Sequence, residues 1–160
     1  MTRERFVELV QIEQDSLRRF LLALCEGDQA LADDLAQETL VKAWLASDRY
    51  VERFKFSTWI FKIARNTFLD YQKRSDRPSE PIDETLPSPG KSDDAYKYDD
   101  LYHALSQLVE KQRTVILLYY MQGYSVNEIA QIIDSNPVAV RQYLSRGRKQ
   151  LRKLLEDEKR

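Results

Sequence analysis

The chain has 160 residues, 25 Lys/Arg against 26 Asp/Glu, a formal net charge of −1 and 42% hydrophobic residues, which fits a globular protein of one domain or two small ones. It has no run of about 18 apolar residues to span a bilayer, and its start, MTRERFVELV, is charged and amphipathic rather than a secretory signal, so a cytoplasmic chain is expected. Cys25 and His103 are each the single residue of their type, which excludes an intrachain disulfide and leaves little raw material for a metal site or a His-based catalytic dyad; no cofactor is expected, and Cys25 within LLALC reads as a buried, inert thiol.

With only four glycines and long stretches of Leu, Ala, Glu, Gln, Lys and Arg, the pattern predicts an all-α chain. Phe6, Leu9, Val10, Leu17, Phe20, Leu21 and Leu22 give one or two amphipathic helices, broken at Gly27-Asp28. In DQALADDLAQETLVKAWLAS, Leu31, Leu35, Leu40 and Trp44 form an apolar face, while Asp33, Asp34, Gln37 and Glu38 crowd the other side. The segment RYVERFKFS then interleaves Tyr50, Phe54 and Phe56 with Arg49, Arg53 and Lys55. A third helix is predicted from about Ser57 to Lys73, with Ile60, Ile63, Ala64, Thr67 and Tyr71 on one side and Lys62, Arg65, Asn66, Leu69 and Lys73 opposite. Rings that stack on bases, next to cations that follow a backbone, are what a single-strand nucleic-acid site needs. Phe54 and Phe56 also fit as core plugs, and Trp44 and Trp59 read mainly as core.

Four of the five prolines fall between Pro78 and Pro89. That stretch is poor in large apolar residues and cannot fold alone, so residues 76–98 read as a flexible acidic linker between units at 1–75 and 99–160. Charge follows this division: residues 1–74 carry 12 Lys/Arg and 12 Asp/Glu, residues 75–100 carry 3 and 8, net −5, and residues 101–160 carry 10 and 6, net +4.

Beyond the linker, SVNEIAQIIDSNPVAVRQYLSRGRK spells two helices around a tight turn. Ser125 and Glu128 make a capping-box pattern, with Ile129, Ala130, Ile132 and Ile133 as the buried stripe. Asn136 can cap the next helix and Pro137 suits its first turn. In that second helix Val140, Leu144, Gly147 and Leu151 keep the buried period, whereas Arg141, Gln142, Ser145, Arg148 and Lys149 lie towards the other side, with Arg146 at the flank. A unit of this kind docks its second helix in the major groove, where Arg and Gln near the start reach base edges and later cations meet phosphate.

Three blocks, DDLAQETLVKAW, FSTWIFKIARNTFLDYQKR and the stretch from LVEKQRTVILLYYMQGYSVNEIA to VRQYLSRGRKQLRKLL, resemble the extracytoplasmic-function (ECF) sigma factors of bacterial RNA polymerase. The resemblance implies two small helical domains. Residues 1–75 would be region 2, which binds the core polymerase and opens the minus-ten element. Residues 99–160 would be region 4, a helix-turn-helix domain of winged-helix-like kind that reads the minus-thirty-five element. It further implies that Asp33, Asp34, Gln37 and Glu38 meet the coiled coil of the polymerase β′ clamp, and that region 4 meets the β flap. Lys62, Arg65, Asn66 and Lys73, with the loop residues Arg49, Arg53, Phe54 and Lys55, would engage and melt the minus-ten element. Arg141, Gln142, Ser145, Arg146, Arg148 and Lys149 would contact the minus-thirty-five element. An anti-sigma factor is implied as a partner and no enzyme activity is implied. Val138-Ala139 stand where many members have Gly-Thr, so a hydroxyl that could touch phosphate is missing.

Two other classes fit parts of the pattern. A stand-alone regulator would use the same C-terminal fold, but it needs a ligand pocket, phosphoacceptor or dimer helix, for which the first domain has no clear signature. A helical enzyme acting on nucleic acid would need a carboxylate cluster for Mg²⁺. Asp33, Asp34 and Glu38 are the candidates, but adjacent residues on a helix do not share a face.

Overall fold

The computed structural model describes residues 1–51, 55–75 and 99–158, all in helices and connecting turns. The linker predicted at 76–98, and Arg53 and Phe54, lie outside the described residues.

Helix α1 runs over Arg3–Leu24, its N-terminus capped by the Thr2 side chain, which accepts from the Arg5 N–H. It is one helix rather than two. It ends in a left-handed turn at Glu26 and Gly27, with φ of 56° and 87°; the Gly27 N–H returns to the Leu22 carbonyl at 2.9 Å, satisfying one of the carbonyls a helix end leaves over. Asp28 then caps α2, Gln29–Leu45, by accepting from the Leu31 N–H. The buried stripe of α2 is Ala32, Leu35, Ala36, Thr39 and Ala43 rather than the larger predicted set. Small residues let α2 approach α1 and α3 closely, and the Thr39 hydroxyl is satisfied by the Leu35 carbonyl at 2.7 Å. Leu31 and Leu40 are partly buried at the edge, and Trp44 is 41% exposed although its ring lies 5.2 Å from Phe6. The core assignment of Trp44 is therefore corrected: the narrow alanine stripe turns its ring to the rim.

After a 3₁₀ turn at Ser47–Arg49 comes α3, Phe56–Ser75. Ile60, Ala64 and Thr67 are buried as the periodicity predicts, but so are Phe61, Arg65 and Phe68. A helix buried on more than one face needs a second body against it. That body is the C-terminal unit, formed by α4 (Asp99–Ser106), α5 (Glu110–Ile116), a π-helical turn (Leu117–Met121), α6 (Val126–Ile132) and α7 (Pro137–Glu158). Within this unit α5 and α6 both pack on α7, while α6 packs on α3 and the π turn touches α1. The two units share a continuous apolar core.

Candidate nucleic-acid interface

The helix-turn-helix is built as its sequence signals require. Ser125 accepts from the Glu128 N–H at 3.1 Å while the Glu128 carboxylate accepts from the Ser125 N–H at 3.1 Å, a complete capping box that starts α6. Asp134 turns the chain with φ of 53°, a left-handed conformation that Asp tolerates better than most side chains. The Asn136 side chain accepts from the Ala139 N–H at 2.9 Å, and Pro137 is the first residue of α7. Val140, Leu144 and Gly147 are buried under the helix. A Cβ built on Gly147 would lie 2.7 Å from Ile116 Cδ1, the free end of that side chain, and 3.3 Å from Gln112 Cβ, so α7 lies close on α5 at this glycine. This fixed inner face sets the outer one: Arg141, Gln142, Arg146, Arg148 and Lys149 are exposed, and Ser145 is half-buried among them. Tyr120 on the π turn accepts from Arg148 at 3.0 Å, steadying the far end of the basic row. The partnership of Tyr120 with Arg148 carries no signal in the sequence, because the two lie 28 positions apart.

In the N-terminal unit the aromatics collect around the start of α3. Tyr50, Phe56 and Trp59 pack with ring centroids 5.2 to 5.7 Å apart, and Phe6 joins Phe56 at 6.1 Å. Phe56 is buried, as a core plug should be. Trp59 is only partly buried and, with Arg49, Tyr50, Val51, Thr58 and Lys62, lines a cavity of about 370 Å³ whose remaining wall is Gln131 of α6. Trp59 packs against the core, as expected, and also lines this cavity. The cavity is partly aromatic and lined by the cations Arg49 and Lys62, a form suited to holding a flat ring.

The basic face predicted on α3 is present only in part. Asn66 and Lys73 are exposed. Arg65, expected on that face, is 7% exposed and makes two bonds to Glu110, Nε to Oε1 at 2.9 Å and Nη2 to Oε2 at 3.1 Å. Lys62 Nζ lies 2.7 Å from Asp134 Oδ1, and Lys55 Nζ 3.0 Å from Glu128 Oε2. All three carboxylates belong to the C-terminal unit, which periodicity within one helix cannot foretell. Burial raises the pKa of Glu128, but hydrogen bonds from Ser125 and Lys55 together outweigh it and hold the carboxyl below its ordinary value.

The acidic side of α2 also divides. Asp33 pairs with Arg18 at 3.1 Å and accepts from Gln29, while Glu38 pairs with Lys42 at 3.3 Å and with Arg74 at 3.6 Å. Asp34 and Gln37 are exposed, in line along the helix with the exposed apolar residues Val41 and Leu45. This mixed row gives no sequence signal, because two surface apolar residues break no pattern. Among the described residues no group of three or more His, Cys, Asp or Glu side chains could hold a metal ion. Cys25 is buried, and burial pushes its thiol up to about 12.

The Sigma-70 region 2 family matches residues 9–78 and the Sigma-70 region 4 family residues 98–151. The ECF RNA polymerase sigma factor SigW of Bacillus subtilis is 30% identical, with 96% of this chain and 90% of SigW covered. EcfG of Rhodopseudomonas palustris, also an ECF sigma factor, is 32% identical over 88% of this chain and 79% of its own length. Among solved structures, the sigma factor RpoE in complex with the anti-sigma factor NepR, from Bartonella quintana, superposes with a TM-score of 0.77 at 26% identity, covering 96% of this chain and 98% of that one. CnrH, solved with the cytosolic domain of CnrY, has the same fold, with a TM-score of 0.77 at 24% identity over 98% of this chain and 90% of CnrH. Matched by both region models and along nearly the whole length of SigW, this chain belongs to the ECF RNA polymerase sigma factor family.

Proposed function

We propose that this chain directs promoter-specific transcription initiation as a dissociable subunit of bacterial core RNA polymerase, acting in the cytoplasm and performing no catalysis itself. The observation that carries the reading is the outer face of α7. Arg141 and Gln142 stand near the start of a doubly capped helix-turn-helix, followed by Arg146, Arg148 and Lys149. Arg and Gln at such positions reach base edges in the major groove, with Ser145 beside them and the later cations on phosphate.

Residues 1–75 act as region 2, 99–160 as region 4 and 76–98 as the tether. On region 2, Asp34 and Gln37, flanked by Asp33 and Glu38, face the β′ clamp and fix its register through polar pairing, while Val41 and Leu45 supply apolar contact. Region 4 meets the β flap. At the minus-ten element Lys62, Arg65, Asn66 and Lys73 meet the DNA with Arg49, Arg53, Phe54 and Lys55 of the preceding loop. The cavity beside Trp59 receives an extruded base, which offsets an unstacking cost of a few kcal/mol without a nucleotide-hydrolysing motor. An anti-sigma factor holds the chain back until it is needed.

Transcription in vitro with bacterial core polymerase and a promoter library tests this. Addition of the chain should yield transcripts from a defined subset of promoters sharing two spaced elements. Folded protein that leaves the start-site pattern of core polymerase unchanged would reject the reading.

A further inference from the structure

The outer face of α7 carries one apolar side chain among its polar ones. Val138, the second residue of the helix, is 61% exposed. At about 100° per residue it lies within about 60° of Arg141, Gln142 and Ser145, inside the arc they define. The helix start fixes that direction: the Asn136 side chain accepts from the Ala139 N–H at 2.9 Å, and the Val140 N–H donates to the Asn136 carbonyl at 3.1 Å. Val140, about 200° further round, is fully buried, which turns Val138 away from the core.

A single exposed valine is ordinary on most protein surfaces. Here it stands where it costs something, because a β-branched side chain lowers helix propensity and an exposed one gains no packing within the chain in return. It has no polar atom, so it can neither pair with a phosphate nor hydrogen-bond a base edge. What the major groove offers an apolar side chain is the C5 methyl of thymine. Side chains on a helix tilt towards its N-terminus, and that is the end whose residues meet base edges in a docked helix-turn-helix.

We infer that Val138 is a specificity-determining residue that reads thymine, its two methyls covering the C5 methyl of one thymine in the minus-thirty-five element. Many members of the family have glycine at this position, which offers no side chain, so the contact belongs to this chain rather than to the fold. Its register follows from the helix. Val138 and Gln142 stand about 6 Å apart along the axis, and one base step is about 3.4 Å, so the thymine lies within two base pairs of the base met by Gln142.

The inference rests on α7 being the minus-thirty-five helix, and its test separates the two. Holoenzyme is assembled from bacterial core polymerase and the full-length chain, with a promoter that it uses from the transcription library. Each thymine of the upstream element, on either strand, is then replaced in turn by deoxyuridine, which differs only in lacking the C5 methyl. Competition between the two promoters for holoenzyme gives the affinity ratio. With wild type, one thymine should show a loss of about threefold to fivefold, the size of one methyl removed from an apolar contact. That thymine should lie within two base pairs of the position whose base preference Gln142→Ala relaxes. Val138→Ala raises helix propensity, so the helix start survives; it removes both methyls and should bring the ratio at that thymine close to one. A wild-type ratio of one at every thymine, or a penalty that Val138→Ala keeps in full, would overturn the inference, and promoter-specific transcription in the same assay would leave the proposed function standing. Holoenzyme that initiates from no promoter would overturn the function and the inference together.

Discussion

Arg141 is the residue on which the proposed reading of the minus-thirty-five element turns. Its exposure, one residue past buried Val140, follows from helical periodicity alone. Arg141→Ala should weaken discrimination between correct and altered minus-thirty-five elements by about 1 to 3 kcal/mol, measured as the ratio of duplex affinities, and should leave thermal stability unchanged. Gly147 has the opposite character. A methyl group placed there would meet Ile116 Cδ1 at 2.7 Å and Gln112 Cβ at 3.3 Å, so Gly147→Ala gains helix propensity yet strains the contact between α7 and α5. Overpacking costs about 1 to 3 kcal/mol against a gain of about 1 kcal/mol from replacing glycine. A net loss of roughly 1 kcal/mol should appear in urea unfolding. Gly147 was legible as a buried position, but its role was not, because the neighbour it admits lies on another helix.

Among the helices, those defined by their own sequence were read well. The capping box of α6, the Asn136 cap and Pro137 at the start of α7 are local signals, and each does locally what its chemistry dictates. On α2 the polar side was legible while the buried stripe was not: alanines and Thr39 make the contact, and small residues carry little hydropathy signal. On α3 the basic face was legible as a set of side chains, but Arg65 lies under Glu110 because a second unit packs there. Asn66 stays exposed on this helix. Asn66→Ala should therefore leave duplex affinity and folding intact and lower the extent of strand opening at limiting protein, read by permanganate reactivity of thymines.

For the whole molecule, the expectation of two helical units agrees with the two regions matched at 9–78 and 98–151, but nothing in the composition foretold that they pack on each other. That arrangement depends on pairs far apart in sequence, such as Lys62 with Asp134 and Lys55 with Glu128. No helix of the described residues is long and apolar enough to cross a membrane.

The division of labour between the units is tested most directly by footprinting a promoter bound by core polymerase with and without this chain. The expected result is protection of an upstream duplex segment together with permanganate-reactive thymines downstream, both requiring the chain, with the reactive thymines diminished and the upstream protection retained for Asn66→Ala. Equal strand opening with core polymerase alone, or simultaneous loss of both signals in a folded Asn66→Ala protein, would contradict it.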